Sequence, residues 1–470
     1  MKSSFSIVNT LFGIITLLII ASPVYGQMPV ESDTLDYEDF DTSELEFSVS
    51  EDPIFGGSPD ELVVEEKESF FNSYIFDPMR FGLKYEMAYK VTKPDRVMNN
   101  RLSYRLEYSR SFFDHFSLQV DTKIFTFLKD DHRARDIEYW INDDANEAEF
   151  SFGGRTREAF VQASFGKTSI RAGIQTLVWG ESDFAIVTNE VSRLDYREPL
   201  SLSIDELRIG QPIVTVDHYS QSGDWSAFFT PDPKFNEHPK EGTGYYYEPF
   251  NGTVTYQAEP DDESHFEYGL RWKKTFGKSD VSIMAASLIN NEYALRMANP
   301  ELITRKKHRF HMAGVTFNRA ISNVLLKGEV AVKAPKAYND ASFQIVEKNA
   351  LDASLGVDYY MNNSFTVSVE AVNYHIMDWS ERIQGQPRNN YMLLVALSKE
   401  LMKEDLSINL ASMYNGPYTT FFNILSTSYN WNDRTTLYFD MLMPFTDDPS
   451  SGLYIYRTQK QAVLKIQYQF

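Results

Sequence analysis

The chain has no cysteine. That absence removes a disulfide framework, a thiolate metal centre and a cysteine nucleophile together. Basic charge is in short supply too: 45 Lys and Arg stand against 66 Asp and Glu, a net charge of −21. A nucleic-acid binder needs the opposite balance, because Lys and Arg make the phosphate contacts. Beyond the N-terminus no segment is apolar for about 18 residues, so nothing there crosses a bilayer as a helix. Catalytic signatures are missing as well. The eight His residues, at 115, 132, 218, 238, 265, 308, 311 and 375, form no H-E-x-x-H, and neither G-x-S-x-G nor a P-loop occurs. His308 and His311 sit three apart on a predicted strand, so they face opposite sides and cannot chelate together. No metal or cofactor is expected. What the sequence does have in abundance is aromatic side chains, with 34 Phe, 28 Tyr and 6 Trp.

The N-terminus indicates a compartment. Lys2 precedes the apolar run Leu11–Ile20, and Ala21-Ser22-Pro23-Val24-Tyr25-Gly26 follows it. A basic start, a short apolar stretch, a helix breaker and modest residues at Val24 and Gly26 read as a secretory signal peptide over 1–26. The run is too short to span a bilayer comfortably as an anchor. From Gln27 to Glu68 there are 15 Asp or Glu against one Lys, so two-thirds of the excess charge sits in under a tenth of the chain. Residues 27–77 therefore read as an acidic spacer whose charge density favours disorder. Leu35, Tyr37, Phe40, Leu45, Phe47 and Phe55 interrupt the acids, which leaves a second reading of the same stretch as a docking segment or partial plug.

From Met79 onward apolar and polar residues alternate in segments of about ten. Leu102, Tyr104, Leu106 and Tyr108 oppose Arg101, Ser103, Arg105 and Glu107. Phe266, Tyr268, Leu270 and Trp272 oppose Glu267, Gly269, Arg271 and Lys273. Val324, Leu326, Val330 and Val332 oppose Lys327, Glu329, Ala331 and Lys333. A strand shows one face per parity, so each segment has an apolar and a charged side. The connections alternate too. Very short turns at Asp114-His115, Gly166-Lys167, Ser222-Gly223, Gly277-Lys278, Ile321-Ser322, Asn362-Asn363, Lys403-Glu404 and Asn432-Asp433 are separated by longer polar loops, the one short exception being Gly416-Pro417. The loops are placed at 92–100, 130–155, 180–207, 231–263, 290–307, 335–349, 376–389 and 445–459. Short turns on one rim and long loops on the other describe a transmembrane barrel.

The expected fold is all-β: a single transmembrane antiparallel β-barrel over 78–470, of about 18 strands with 16 as the next even count. An even number puts both termini, and the acidic spacer, on the periplasmic side of a bacterial outer membrane. The hairpin over 207–230 is the weakest, because Pro212 interrupts it. A soluble sandwich or a propeller also alternates. Aromatic residues near strand ends, charges of both signs at mid-strand and the lack of a fixed repeat of about forty residues favour the barrel. The chain also ends in Tyr468-Gln469-Phe470, similar to the terminal aromatic signature that barrel-assembly machinery recognises, with Phe470 as the contact.

Arg171-Ala172-Gly173-Ile174-Gln175, followed by Val178-Trp179-Gly180-Glu181, resembles the R-x-G-x-Q-x-x-x-W-G-E element of a large, poorly characterised family of proteobacterial outer-membrane barrels. Asp205-Glu206-Leu207-Arg208-Ile209-Gly210-Gln211-Pro212 is similar to the family's acidic-Leu-Arg-x-Gly-x-Pro stretch. Lys327-Gly328-Glu329-Val330-Ala331 resembles its R-G-E-x-A strand, with Lys for Arg, and Gly356-Val357-Asp358-Tyr359 its G-x-D-Y strand. The resemblance covers about Phe150 to Tyr374 and implies a Gram-negative porin-like barrel, without settling an activity.

Parity places Arg171, Gly173, Gln175 and Trp179 on one side, opposite Ile170, Ala172, Ile174 and Val178. Arg and Gln then face the lumen, and the loop that starts at Trp179-Gly180-Glu181 can fold inward and narrow the pore. The other reading makes Trp179 a girdle residue and Glu181 a solvated charge. The expected pore lining is Lys84, Glu86, Arg105, Glu107, Asp121, Lys123, Arg171, Gln175, Trp179, Glu181, Arg271, Lys273, Lys327 and Glu329. Such mixed charges order water and favour polar solutes. Two loop features stay open. Tyr245-Tyr246-Tyr247 with Pro249 either stack on a sugar or pack the loop on itself. Asp143-Asp144, Asp261-Asp262 and Asp447-Asp448 are either solvated or hold divalent cations that bridge lipopolysaccharide, though none has EF-hand spacing.

The leading functional reading is a porin-like channel for passive transport of small hydrophilic solutes, in contact with outer-membrane lipid and lipopolysaccharide. The alternative is a non-enzymatic scaffold or export barrel that docks a periplasmic partner through 27–77. An enzyme on the barrel wall is the least supported. One expectation is testable on the purified protein: intact-mass analysis of the membrane-extracted chain should find Gln27 as its first residue, and retention of Met1 would refute the leader.

Overall fold

A computed structural model describes residues 78–133, 150–183, 185–200, 207–247, 254–258, 265–362 and 364–470. The expected signal peptide and acidic spacer lie outside these residues, as do Asp143-Asp144 and Asp261-Asp262.

Wherever β-branched and aromatic residues alternate with polar ones, the chain runs as a strand. Eighteen strands follow in order: β1 (Met79–Lys90), β2 (Arg96–Phe112), β3 (Phe116–Leu128), β4 (Phe150–Phe165), β5 (Thr168–Gln175), β6 (Gln211–His218), β7 (Asp224–Thr230), β8 (Glu267–Phe276) and β9 (Ser279–Ile289). The second half comprises β10 (Arg309–Ile321), β11 (Val324–Asn339), β12 (Ile345–Asn362), β13 (Phe365–Ile376), β14 (Asn389–Leu401), β15 (Leu406–Gly416), β16 (Thr420–Asn432), β17 (Thr435–Thr446) and β18 (Gln461–Gln469). Each pairs antiparallel with its sequence neighbours. The last strand pairs with the first, from Gly82↔Gln469 to Lys90↔Gln461, so the sheet closes and keeps no free edge. The chain is thus an 18-stranded outer-membrane β-barrel, as the alternation predicts.

The two rims differ as expected. Seven of the eight predicted short turns fall where the sequence places them, Asn363 of the eighth lies outside the described residues, and the uncertain hairpin over 207–230 is a true one. Pro212 is accommodated because it is the second residue of β6, opposite Ile174 of β5, while the ladder to β7 begins only at Val214. Three loops are clearly shorter than predicted, the first being 130–155, which ends where β4 begins at Phe150. The expected loop at 335–349 shrinks to 340–344, because β11 and β12 stay paired out to Asn339↔Ile345. The loop at 92–100 shrinks to 91–95, since β1 and β2 pair up to Lys90↔Arg96. Polar residues in these stretches read as loop, yet strands that project past the bilayer can be polar on both faces.

The exterior is apolar. Val161, Leu270, Ile283, Val315, Val330, Val332, Leu393, Val395, Leu464 and Ile466 are exposed on the outer face, each between inward-facing neighbours. Two aromatic girdles bound this band. Phe116, Phe165, Trp225, Phe276, Tyr359 and Trp431 are exposed at the short-turn ends, and Phe229, Tyr268, Tyr391, Phe421 and Phe445 at the long-loop ends. The amphipathic rings sit where hydrocarbon meets water. No helix among the described residues is long and apolar enough to cross a membrane.

On the long-loop rim, Leu302–Lys306 pairs with Ala294–Asn299 and, in parallel, with Thr255–Ala258. A short 3-10 helix, Gly452–Tyr456, is capped by the Ser451 hydroxyl accepting from Leu453 N, and buries Leu453 and Tyr456. Tyr245 is buried edge-on against Tyr456 at 6.2 Å and His132 at 5.1 Å, and accepts a hydrogen bond of 2.6 Å from Gln461, so of its two readings the structure places it in loop packing.

The outer face sets a clear expectation. Val330→Arg places a charge in hydrocarbon and should destabilise the barrel by about 2–4 kcal/mol in lipid vesicles. Urea titration of vesicle-refolded protein measures this; an unchanged midpoint would mean Val330 does not face lipid.

Candidate functional site

The connection from β5 to β6, described over 176–183, 185–200 and 207–210, packs inside the barrel. It starts from a strand whose inner face carries Arg171, Gly173 and Gln175. Gly173 has φ of +145°, and a Cβ there would lie 2.3 Å from the Ala159 carbonyl oxygen, so no larger residue fits this approach of β5 to β4. Gln175 is buried and donates to the Ile213 carbonyl at 2.8 Å, fixing the exit of the loop. Arg171 pairs with Asp217 at 3.1 Å on the neighbouring strand.

The loop then turns inward. Trp179 is 1% exposed and packs edge-on against Phe228 at 5.1 Å, with the Arg271 guanidinium 5.9 Å from its ring. Of the two readings of Trp179, the interior one matches this geometry. Asn189 Oδ1 accepts from Trp179 N at 2.6 Å and Gly180 N at 2.7 Å, which folds the loop back on itself.

A single wall carboxylate holds this fold. Glu329 on β11 accepts four hydrogen bonds from the loop. Its Oε1 takes Glu181 N at 2.6 Å and Ser182 N at 2.5 Å, and its Oε2 takes Thr188 N at 3.0 Å and the Thr188 hydroxyl at 2.6 Å. Gly180 is required here: a Cβ would lie 2.6 Å from Glu329 Oε1 and 2.7 Å from Asn189 Nδ2. Glu370 on β13 accepts from the Ser182 hydroxyl and, at 3.3 Å, from Asp183 N. Lys327 bridges loop Asp183 and wall Asp358, the latter at 2.8 Å. Gly356, directly opposite Lys327 in register, leaves room for that side chain, since a Cβ would stand 3.0 Å from Lys327 Cγ. Further along β11, Lys333 bridges Glu190 at 2.6 Å and Asp352 at 2.5 Å. Glu181 in turn accepts from Asn318 at 2.8 Å.

Four sequence motifs that read as separate therefore meet at one place. The W-G-E turn rests on the Glu329 of K-G-E, the Lys of K-G-E pairs with the Asp of G-V-D-Y, and Leu207 of the D-E-L-R stretch is buried in the same cluster.

On the opposite wall, Arg197 donates to Asp195 at 2.8 and 2.7 Å, and Arg155 of β4 to the same carboxylate at 2.8 Å. Burial alone pushes the Asp195 carboxyl up, but the Arg197 hydrogen bonds and the Arg197, Arg155 and Arg133 charges hold it below the usual carboxylate range. The attachment is complete above the ordinary aspartate range and is lost only as pH falls through the depressed value. Glu198 is held low by Arg101, His132 and Arg133 against the same burial.

Of the other predicted lumenal residues, Arg105, Glu107 and Asp121 form one group. Arg105 donates to Asp121 at 3.0 and 2.9 Å and lies 2.7 Å from Glu107. Lys84, Glu86 and Lys123 line a cavity on the β1–β3 wall. Lys273 stands apart, 3.7 Å from Asp280 beside the Gly277-Lys278 turn.

Charge parity misses the apolar half of the interior. Met392 and Leu394 of β14, Met413 of β15, Phe422 and Ile424 of β16 and Leu442 of β17 all point inward. They form one buried cluster with Leu177, Val187, Val191, Leu194, Tyr196 and Leu200 of the loop. An inward Leu on a barrel wall looks like an outward one in sequence. Only the loop that covers it explains the choice.

Glu329→Gln keeps the shape of the side chain and removes one acceptor oxygen from the charged nest. Each lost bond to a charged group is worth roughly 1.5–3 kcal/mol. Hydrogen-exchange mass spectrometry should show faster exchange in peptides over 176–200 and unchanged exchange in β14–β16. Uniform protection in the variant would show that the loop is held elsewhere.

The profile of a family described as "Protein of unknown function (DUF1302)" matches residues 92–434. No curated protein matches the chain in sequence. Among solved structures, Pseudomonas aeruginosa OccK8 (OprE) superposes with a TM-score of 0.50 at 9% identity, covering 84% of this chain and 98% of that one. Acinetobacter baumannii OccAB3 gives 0.48 at 9%, covering 83% and 98%. P. aeruginosa OccK2 (OpdF) in complex with glucuronate gives 0.48 at 8%, covering 84% and 97%. At such identities the likeness concerns the fold alone.

Proposed function

We propose that this chain, which belongs to the DUF1302 family of proteins of unknown function, is a porin-like channel that lets small hydrophilic solutes diffuse across the outer membrane through a lumen narrowed by its own loop 176–210. The observation that carries the reading is a closed sheet of 18 strands with the loop residues 177–200 packed inward on its wall. A ring of that size encloses more space than its own side chains fill. The loop takes up part of it and leaves a polar cavity beside it on the β1–β3 wall.

The charges along this path support polar cargo. Lys84, Glu86, Arg105, Glu107, Asp121, Lys123 and Arg171 carry both signs on one stretch of wall, and Arg271, Lys327 and Glu329 do the same around the loop. In a water-filled lumen, opposed charges order water and pass solutes that can exchange hydrogen bonds with the wall. Passive diffusion of this kind needs no cofactor and no covalent step.

Reconstitution in a planar bilayer tests it. Purified protein should give discrete conductance steps in KCl, and deleting 181–189 should enlarge them by several-fold. A barrel that stays closed until 27–77 is removed would instead favour the scaffold or export reading, with the acidic segment as the docking element.

A further inference from the structure

We propose that the outer surface of β8–β10, at the short-turn rim, binds an anionic phospholipid whose head-group phosphate sits between Lys278 and Arg319. The site needs only a barrel standing in a membrane. It holds whether or not the lumen conducts.

Strand parity turns Lys274 and Phe276 of β8, Ser279 of β9 and Arg319 and Ile321 of β10 outward, on the face that carries Leu270, Ile283 and Val315. These three strands contain two carboxylates, Glu267 and Asp280, and both face inward. Glu267 is buried, and Asp280 lies 3.7 Å from lumenal Lys273. The outer face here therefore carries cations without a counter-charge. Lys274 is engaged, donating to the Gln221 carbonyl at 3.3 Å with its ammonium 5.7 Å from the Phe276 ring. Lys278, in the turn, and Arg319 are exposed, and neither has a carboxylate partner among the described residues.

The register shapes a notch between them. Phe276, Ser279 and Arg319 form one row across the three strands, because Ser279 is the partner of both others. Neighbours in such a row stand about 5 Å apart. A small serine between a ring and a guanidinium leaves a recess, which residues 276–279 and 319–322 enclose to a volume of 420 Å³. Ala320 N donates to the Lys278 carbonyl at 3.0 Å, so the turn that carries Lys278 is tied to the strand that carries Arg319. Arg matches a phosphate with two parallel N–H donors, and the lysine adds a point charge.

Position favours a lipid over a dissolved phosphate. A charge on the lipid face is costly at the bilayer midplane and nearly without cost at the interface, where head groups lie. Above the notch the outward row Ile283↔Val315 is apolar, and Ala285↔Ala313 beyond it is small, which leaves a shallow strip for an acyl chain. Basic pockets at a membrane surface attract anionic head groups.

Phosphatidylglycerol is the probe and phosphatidylcholine the competitor. Native mass spectrometry of the protein in a mild non-ionic detergent, with the two lipids in equal amounts, should find phosphatidylglycerol as the preferred first adduct. Lys278→Gln should lower that preference roughly fivefold, and Lys278→Gln with Arg319→Gln about twenty-five-fold. Lys399→Gln, at an outward lysine of the same rim that donates to the Ser364 hydroxyl at 2.8 Å, should leave it unchanged. Each variant is scored only as a band with the heat-modifiable gel mobility of a folded barrel. Equal retention of both lipids by the wild type overturns the site, as does an unchanged preference in both Lys278 variants. An equal loss in Lys399→Gln does the same, since it would mean diffuse attraction to the rim. Glycerol 3-phosphate should not displace the lipid; displacement at equal concentration would make this a phosphate site and overturn the lipid reading.

Discussion

In hydrocarbon there is no water to satisfy a backbone N–H or C=O, and each one left unpaired costs several kcal/mol. A sheet can enter that medium only if its first and last strands find each other. Here the pairing of Gly82–Lys90 with Gln461–Gln469 does this, and the interior exists because of it. Closure also explains the outside. With edges gone, one face of each strand is left to meet lipid, and Val330, Val332, Leu464 and Ile466 lie on that face.

Closure creates a second problem, because the inner face of half the ring is apolar. The loop over 176–210 resolves it by laying Leu177, Val187, Leu194 and Leu200 on Met392, Phe422 and Leu442. Apolar packing has little directional preference, so it would leave the loop free to slide. The wall carboxylates supply direction. Glu329 gathers backbone donors from 181, 182 and 188 into one nest, while Lys327 and Lys333 each bridge a loop acid and a wall acid. A loop fixed at several points across the barrel interior has one defined shape.

Much of the barrel was legible because strand parity and connection length are local properties. The alternation of Arg101–Tyr108 gives a face for every residue, and eight turns of a few residues give sidedness. Even the doubtful hairpin at Pro212 resolves, since β7 begins its ladder two residues further on. Boundaries were less legible on the loop rim, where β11 and β12 leave the bilayer and hydrophobicity no longer marks a strand.

The candidate site was legible only in pieces. Parity put Arg171, Gln175, Lys327 and Glu329 on inner faces, and the glycines at 173, 180 and 356 stood out within motifs. That Glu181 N meets Glu329, 148 positions away, has no periodic signature. Ser182, Thr188, Asn189 and Glu190 sit in an irregular segment whose spacing says nothing about where it folds. Glu370, Asp352 and Arg101 could be assigned a face but not a partner. The sequence alone thus determined a closed, two-sided barrel, because alternation and turn length follow from the geometry of one strand and one hairpin. Which loop enters the lumen, and which wall receives it, was decided by tertiary structure, because those contacts join residues that only closure of the ring brings within hydrogen-bonding distance.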